Sequence, residues 1–332
     1  MRVKYQEMYD QFLRVLLKHG MTKERAELSA KLFVEASLDG VYTHGLNRFP
    51  RFISSVENGI VLVNAEPVLK ESIGLIERYD GQKGPGNLNA YFCMERAIKK
   101  AKEAAIGITT ISNTNHWMRP GSYGLMAAEE NCIGILWTNT IPNMPAWGGK
   151  DAKLGNNPVV VCIPHEDAPV LVDVAMSMFS YGKLESYARS GEQLPIDGGF
   201  DSDGNITRDA AKIMQTHQPL PIGYWKGSGL SLVLDLIAST LAGGRSTCQV
   251  GKLDYETELS QVFIAIDITS FPDKERIKET ISETLVDLHN SAPMKANQPV
   301  RYPGEGRIKT RKENLELGIP VDEAIWNKVL AL

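Results

Sequence analysis

Nowhere in these 332 residues does a G-x-G-x-x-G follow a strand-like run and open a helix. A dinucleotide bound here would therefore not be held by the usual Rossmann fingerprint, and a P-loop is lacking as well. The four cysteines, Cys93, Cys132, Cys162 and Cys248, form no CxxC pair. That spacing disfavours zinc, the chain's size disfavours a disulfide framework, and a reducing cytoplasm is expected. Three of the four lie in apolar segments, as small buried thiols do. No Lys/Arg block stands out against a formal net charge of −4, which argues against a nucleic-acid partner. Long apolar runs are scarce too. Met1 to Glu7 turns polar at once, unlike a signal peptide. The run 230–242 is interrupted by Ser231, Asp235, Ser239 and Thr240, far short of the roughly 20 residues that span a bilayer. No membrane partner is expected.

What is present is an ordinary globular balance, 43% hydrophobic and 23% charged residues, with enough length for about two domains. The first sixty residues read as helical. Met8, Phe12, Val15 and Leu16 recur at helical spacing up to His19-Gly20. Thr22 is the expected N-cap of a second helix, whose stripe is Ala26, Ala30, Leu32, Phe33 and Ala36 and which Asp39-Gly40 breaks. A third helix is expected over 44–57. After Pro67, strand-like runs at 74–77, 107–111, 134–137, 158–163, 170–174 and 261–268 alternate with helical stretches at 88–105, 122–130, 179–189, 229–241 and 274–289. That interleaving predicts an α/β fold. The segments 305–317 and 322–330 are helical again and are expected to pack beside the N-terminal helices. The division expected is an N-terminal helical region, 1–66, packed with 305–332, and an α/β core over 67–304. The stretch 190–221 reads as the longest irregular loop, a candidate cover for a site.

Most of the six histidines have plain structural readings: His19 and His289 end helices, and His165 and His217 fall in polar loops. His44 differs. In Thr43-His44-Gly45-Leu46-Asn47-Arg48, a helix would put His44 and Arg48 four apart on one face. A 2-oxo acid requires such a pair: Arg clamps the carboxylate while His, with an ordinary pKa of about 6.5, protonates the carbonyl oxygen. The plain alternative is a capping segment with solvated charges. Asn115-His116-Trp117, directly after the strand at 107–111, suggests a polar pocket at a strand's carboxyl end, or else a satisfied loop with Trp117 buried. Asp173 sits within a strand-like run and should have a hydrogen-bonding partner. Trp225-Lys226-Gly227-Ser228-Gly229 offers a ring, a cation and flexible backbone ahead of a helix, suited to a phosphate. Asp201-Ser202-Asp203-Gly204-Asn205 has Lys212 where a calcium loop needs its closing Glu, so it reads as a turn, and no metal site is expected.

Taken in order, Thr-His-Gly-x-x-Arg at 43–48, Asn-His-Trp at 115–117, Leu-Gly-x-Asn-Pro at 154–158, Asp-x-Ala-x-Ser at 173–177 and Lys-Gly-x-Gly at 226–229 resemble the malate/L-lactate dehydrogenase family. That family is unrelated to the Rossmann-fold lactate and malate dehydrogenases. The resemblance spans essentially the whole chain. It implies a homodimer with a mixed-sheet, non-Rossmann nicotinamide-binding core, NAD (as NADH) or NADP as cofactor, and a small 2-oxo sugar acid as substrate. The segments 47–52, 176–182 and 223–226 resemble the members that reduce 2,3-diketo-L-gulonate at C2. By the same resemblance His44 is the proton donor, and Thr43, Arg48, Asn115, His116 and Trp117 surround the substrate. Val170-Leu171-Val172-Asp173-Val174-Ala175-Met176-Ser177, Trp225-Lys226 and Gly304-Glu305-Gly306 would contact the cofactor. Thr43 stands where the family commonly has serine. The same chemistry on malate, lactate, ureidoglycolate or a cyclic imino acid is the alternative. A sugar-acid binding protein without turnover would use the same Arg48 and loop.

Overall fold

The computed structural model describes residues 1–166 and 168–332. Helix α1 (Tyr5–Lys18) buries Met8, Phe12, Val15 and Leu16 along one stripe, and α2 (Lys23–Leu38) packs across it. Thr22 occupies the N-cap position of α2, but its hydroxyl makes no capping bond. The expected helix over 44–57 is corrected: two 3₁₀ turns, Tyr42–His44 and Leu46–Arg48, precede α3 (Phe49–Glu57). The break is Gly45, pressed so tightly on α2 that an added Cβ would lie 2.1 Å from Ser37 Oγ. His44 and Arg48 are therefore placed by two turns rather than by one helical face.

The core is a seven-stranded sheet. Strands β1 (Val68–Ile73) and β2 (Ile76–Asp80) form a hairpin, and α4 (Gly86–Ala104) crosses over to β3 (Ile106–Thr114), parallel to β2. After α5 (Gly121–Glu129) come β4 (Cys132–Thr138), β5 (Val159–Ile163) and β6 (Val170–Val174). Next are α6 (Tyr181–Ser190), α7 (Ala210–Thr216), α8 (Trp225–Ala242), the short α9 (Thr247–Val250) and β7 (Leu259–Asp267). The order across the sheet is β1-β2-β3-β7-β4-β5-β6, antiparallel at every pair but β2–β3, which leaves β6 on an edge. Such a mixed order is the α/β fold expected. The sequence found only part of the hairpin, because every residue of β1 is exposed and lacks an inward apolar face.

One sheet face is closed by α4 and α5, with Phe263, Ala265, Leu136 and Ile111 meeting Ala97, Met94 and Tyr123. The other face is covered by α8, where Ala238 meets Trp137 and Val262. The chain ends with α10 (Lys274–His289), α11 (Glu305–Leu317) and α12 (Glu323–Ala331). Trp326 and Val329 of α12 share a core with α1, α2 and α3, and Arg2–Val3 pairs with Ile319–Pro320. The stretch 190–221 is not an irregular loop. It holds α7 and a two-stranded ladder, and its Leu194, Ala210 and Ile213 form a small core with Leu184 of α6. No helix among the described residues is long and apolar enough to cross a membrane.

Candidate active site

The turns after α2 and the loop after β3 bring two histidines face to face. The rings of His44 and His116 stack with centroids 5.8 Å apart and planes 12° from parallel. The backbone N–H of Met118 donates to His116 Nδ1 at 3.0 Å, so the neutral ring carries its proton on Nε2. Thr43 Oγ1 lies 3.2 Å from His44 Nδ1, and Gly182 at the start of α6 packs directly on Thr43. Arg48 faces the carboxylates of Glu256, at 3.9 Å, and Glu185 of α6. His44, Arg48 and His116 each keep a solvent-accessible part while protein packs around them, as groups lining a crevice do.

Burial, then the charges of Arg48 and Arg119, push the His44 ring down to about 4. This corrects the expectation of an ordinary imidazole near 6.5. His116 is pushed well below its ordinary value too, by burial and by Arg48, His44 and Arg51.

Arg119 belongs to a charge cluster that the sequence did not disclose. Its guanidinium pairs with Asp39 at 2.6 Å, the side chains being 4% and 2% exposed. Arg307 and Arg311 of α11 reach the same carboxylate at 3.3 and 2.8 Å. Burial raises the Asp39 pKa, but the three guanidiniums outweigh it and hold the carboxyl below its usual range. Asp39 thereby joins the end of α2, the loop before α5 and helix α11. In the sequence it reads only as the residue before a helix-ending glycine, because its partners lie 80, 268 and 272 positions away.

Two members of the 115–117 motif support the loop. Asn115 donates to the carbonyls of Lys83 and Gly84 at 2.9 and 3.0 Å and accepts from Thr257 Oγ1 at 2.9 Å. Trp117, 1% exposed, packs on Tyr123 and Phe263 in the sheet core, so its ring lies out of a ligand's reach.

The other expected residues form a track along the edge strand. Leu171 N donates to Pro303 O at 2.9 Å, and Gly304, at φ +96°, packs so closely that a Cβ would lie 2.8 Å from Pro169 O. Gly306 is exposed in the first turn of α11, while Glu305 is engaged by His289 at 3.0 Å. Asp173 accepts from the Gly121 N–H at the start of α5, at 2.9 Å, yet stays open to solvent. Burial by surrounding protein raises its carboxyl above the ordinary value, opposed by Arg119 and that N–H. Beyond Val174 and Ala175, Ile222 N donates to Met176 O at 2.8 Å and Ser177 bridges Pro221, which leads to Trp225 and Lys226. Helix α8 starts at Trp225 rather than at 229, so Gly227 is no flexible leader: a Cβ there would lie 2.3 Å from Ile222 O. Trp225 is 65% exposed, and Lys226 forms no ion pair among the described residues.

The family model described as malate/L-lactate dehydrogenase matches residues 3–330. A protein of Escherichia coli O6:K15:H31 named 2,3-diketo-L-gulonate reductase is 43% identical over 100% of both chains. Among solved structures, malate dehydrogenase from Entamoeba histolytica aligns with a TM-score of 0.94 at 25% identity, over 100% of this chain and 96% of that one. Malate dehydrogenase from Pyrococcus horikoshii OT3 aligns with a TM-score of 0.89 at 31% identity, covering 100% and 95%. On sequence and fold alike, the chain belongs to the malate/L-lactate dehydrogenase family.

Proposed function

We propose that the protein reduces a 2-oxo sugar acid, 2,3-diketo-L-gulonate, at C2 to give 3-keto-L-gulonate, using NADH or NADPH. The observation that carries this reading is the stacked His44–His116 pair beside Arg48, with the Asp173 edge running from the same loop. Arg48 is suited to clamp the substrate carboxylate through its planar fork. His44, with Thr43 at Nδ1, has Nε2 to offer the C2 oxygen. A carboxylate on Arg48 would offset one of the two charges that depress the His44 ring, returning it toward the protonated form it needs as an acid. His116 stacks behind it and fixes its plane. The full-length 43% identity to a protein named for this substrate supports the choice of acid.

The residues along β6 fit a nicotinamide dinucleotide. Asp173 offers an accessible carboxylate to hydroxyl or amide donors, Lys226 a cation to phosphates, Trp225 a ring, and Gly304 a backbone without a side chain in the way. When bound, a reduced nicotinamide supplies the hydride. A dehydrogenase for malate is the second reading, favoured by the two structural relatives.

The functional unit is a homodimer in this reading. Helix α8 turns Gly227, Ser231, Asp235, Ala238 and Ala242 inward and leaves Leu230, Val233, Leu236 and Ile237 at 53%, 49%, 51% and 38% exposure. An apolar face of this kind suits a second copy of the chain, in a cytoplasmic protein whose buried thiols are free. Leu236→Glu should shift the sedimentation mass from two chains to one. Loss of reduced-nicotinamide absorbance, followed with each cofactor and with 2,3-diketo-L-gulonate, pyruvate and oxaloacetate, tests the reaction. No turnover with any of the three acids would refute it.

A further inference from the structure

Beyond Arg48 and His116 the crevice opens into a hollow of about 200 Å³, bounded by α3, the 115–118 loop and Tyr255-Glu256. At roughly 30 Å³ per water this holds about six waters, room for several hydroxylated carbons. One side of α3 buries Phe49, Phe52 and Ile53. The other turns Arg51, Ser54, Ser55 and Asn58 toward the hollow, at helical spacings of three, four and seven. Arg51 forms no ion pair among the described residues, although its charge reaches both Arg48 and His116. Asn58 Nδ2 donates to Ser54 O at 2.8 Å, which leaves its Oδ1 as an acceptor. Ser55 Oγ donates to Arg51 O at 3.0 Å and can still accept. The wall thus offers guanidinium donors beside amide and hydroxyl acceptors.

We propose that this face of α3 is the specificity wall of the enzyme, binding the hydroxylated tail of the substrate beyond C3. The proposal rests on the reading in which Arg48 takes the carboxylate and His44 the C2 oxygen. Each hydroxyl both donates and accepts, so a run of hydroxyls can pair with such a wall. Ile60, Val61 and Met118 also line the hollow, but an apolar tail laid along α3 would take water from Arg51, Ser55 and Asn58 without replacing its hydrogen bonds. A three-carbon acid ends before reaching it. Glu256, already facing Arg48, makes the same hollow less suited to a second carboxylate.

The test compares kcat/KM for 2,3-diketo-L-gulonate, pyruvate and oxaloacetate in the wild type, in Asn58→Leu and in Arg51→Gln. Arg51 is exposed on α3 and Asn58 is exposed at its C-cap, and circular dichroism checks the fold of each variant. The expected result is that the ratio for the sugar acid over pyruvate falls about tenfold in each, the worth of one or two hydrogen bonds. An unchanged ratio, with the wild type active on both acids, overturns the wall and leaves the reaction standing. A wild type that prefers oxaloacetate, with the preference lost in Arg51→Gln, overturns it in favour of a dicarboxylate pocket. A wild type inert toward every acid removes the reaction and the wall together.

Discussion

On the bank of the crevice that carries His44 and Arg48, the groups around the two histidines are tied to other parts of the chain; along the edge strand β6, the exposed groups wait untied. Asp39 gathers three guanidiniums, Asn115 uses its amide on two carbonyls and a hydroxyl, and His116 is fixed by a backbone N–H. Opposite them, Asp173 has one backbone donor, and Trp225 and Lys226 stand in solvent. The difference matches the two ligands proposed. A small oxo acid supplies few contacts, so the groups that orient it must be held beforehand. A dinucleotide has enough contacts to order mobile side chains as it binds.

If the first bank is wired in this way, cutting it at its centre should do the most damage. Asp39→Asn leaves buried guanidiniums short of a charge and should cost about 3–5 kcal/mol of stability, read from chemical denaturation. An unchanged midpoint would mean that the cluster holds nothing together. The wild type should also lose stability in acid. The folded carboxyl sits below its ordinary value, so its stabilisation is present above the unfolded pKa and fades as pH falls through the folded one.

Arg48→Lys keeps the charge but not the fork. The oxo acid's kcat/KM should fall roughly 10–100-fold with cofactor affinity near wild type, in line with about 1.5–3 kcal/mol for a charge-assisted bond. Full activity would rule out a bidentate clamp. Lys226→Ala, on the untied bank, should act on the other ligand: KM for the nicotinamide cofactor rises about tenfold and that for the oxo acid much less. Equal effects on both would erase the distinction between the banks.

Periodicity alone exposed α1, α2, α4 and α10, whose apolar stripes are local. The motifs around His44, His116 and Asp173 were visible as contiguous residues, and resemblance gave them order. Three things were hidden. Gly45 reads as a helix residue until its contact with Ser37 forbids any side chain there. Asp39 is an unremarked acid because its partners are set by the tertiary fold. The wall on α3 looks like the solvated side of an amphipathic helix, and only the neighbouring loops make it a hollow.

At the centre is the claim that His44 supplies the proton, and its pH behaviour follows from the lowered ring. Reduction needs the protonated form, so kcat/KM should decline as pH rises above about 4, whereas oxidation of the product needs the neutral form and should rise through about 4 and level off. The most direct measurement is single-turnover oxidation of the reduced cofactor by folded His44→Asn, with His116→Asn beside it. Asn keeps a hydrogen-bond donor but has no proton to release. A rate about 10²–10⁴-fold lower is expected in the first, with cofactor binding preserved, and a smaller loss in the second. A near-normal rate in His44→Asn with collapse in His116→Asn would contradict it and move the acid to His116.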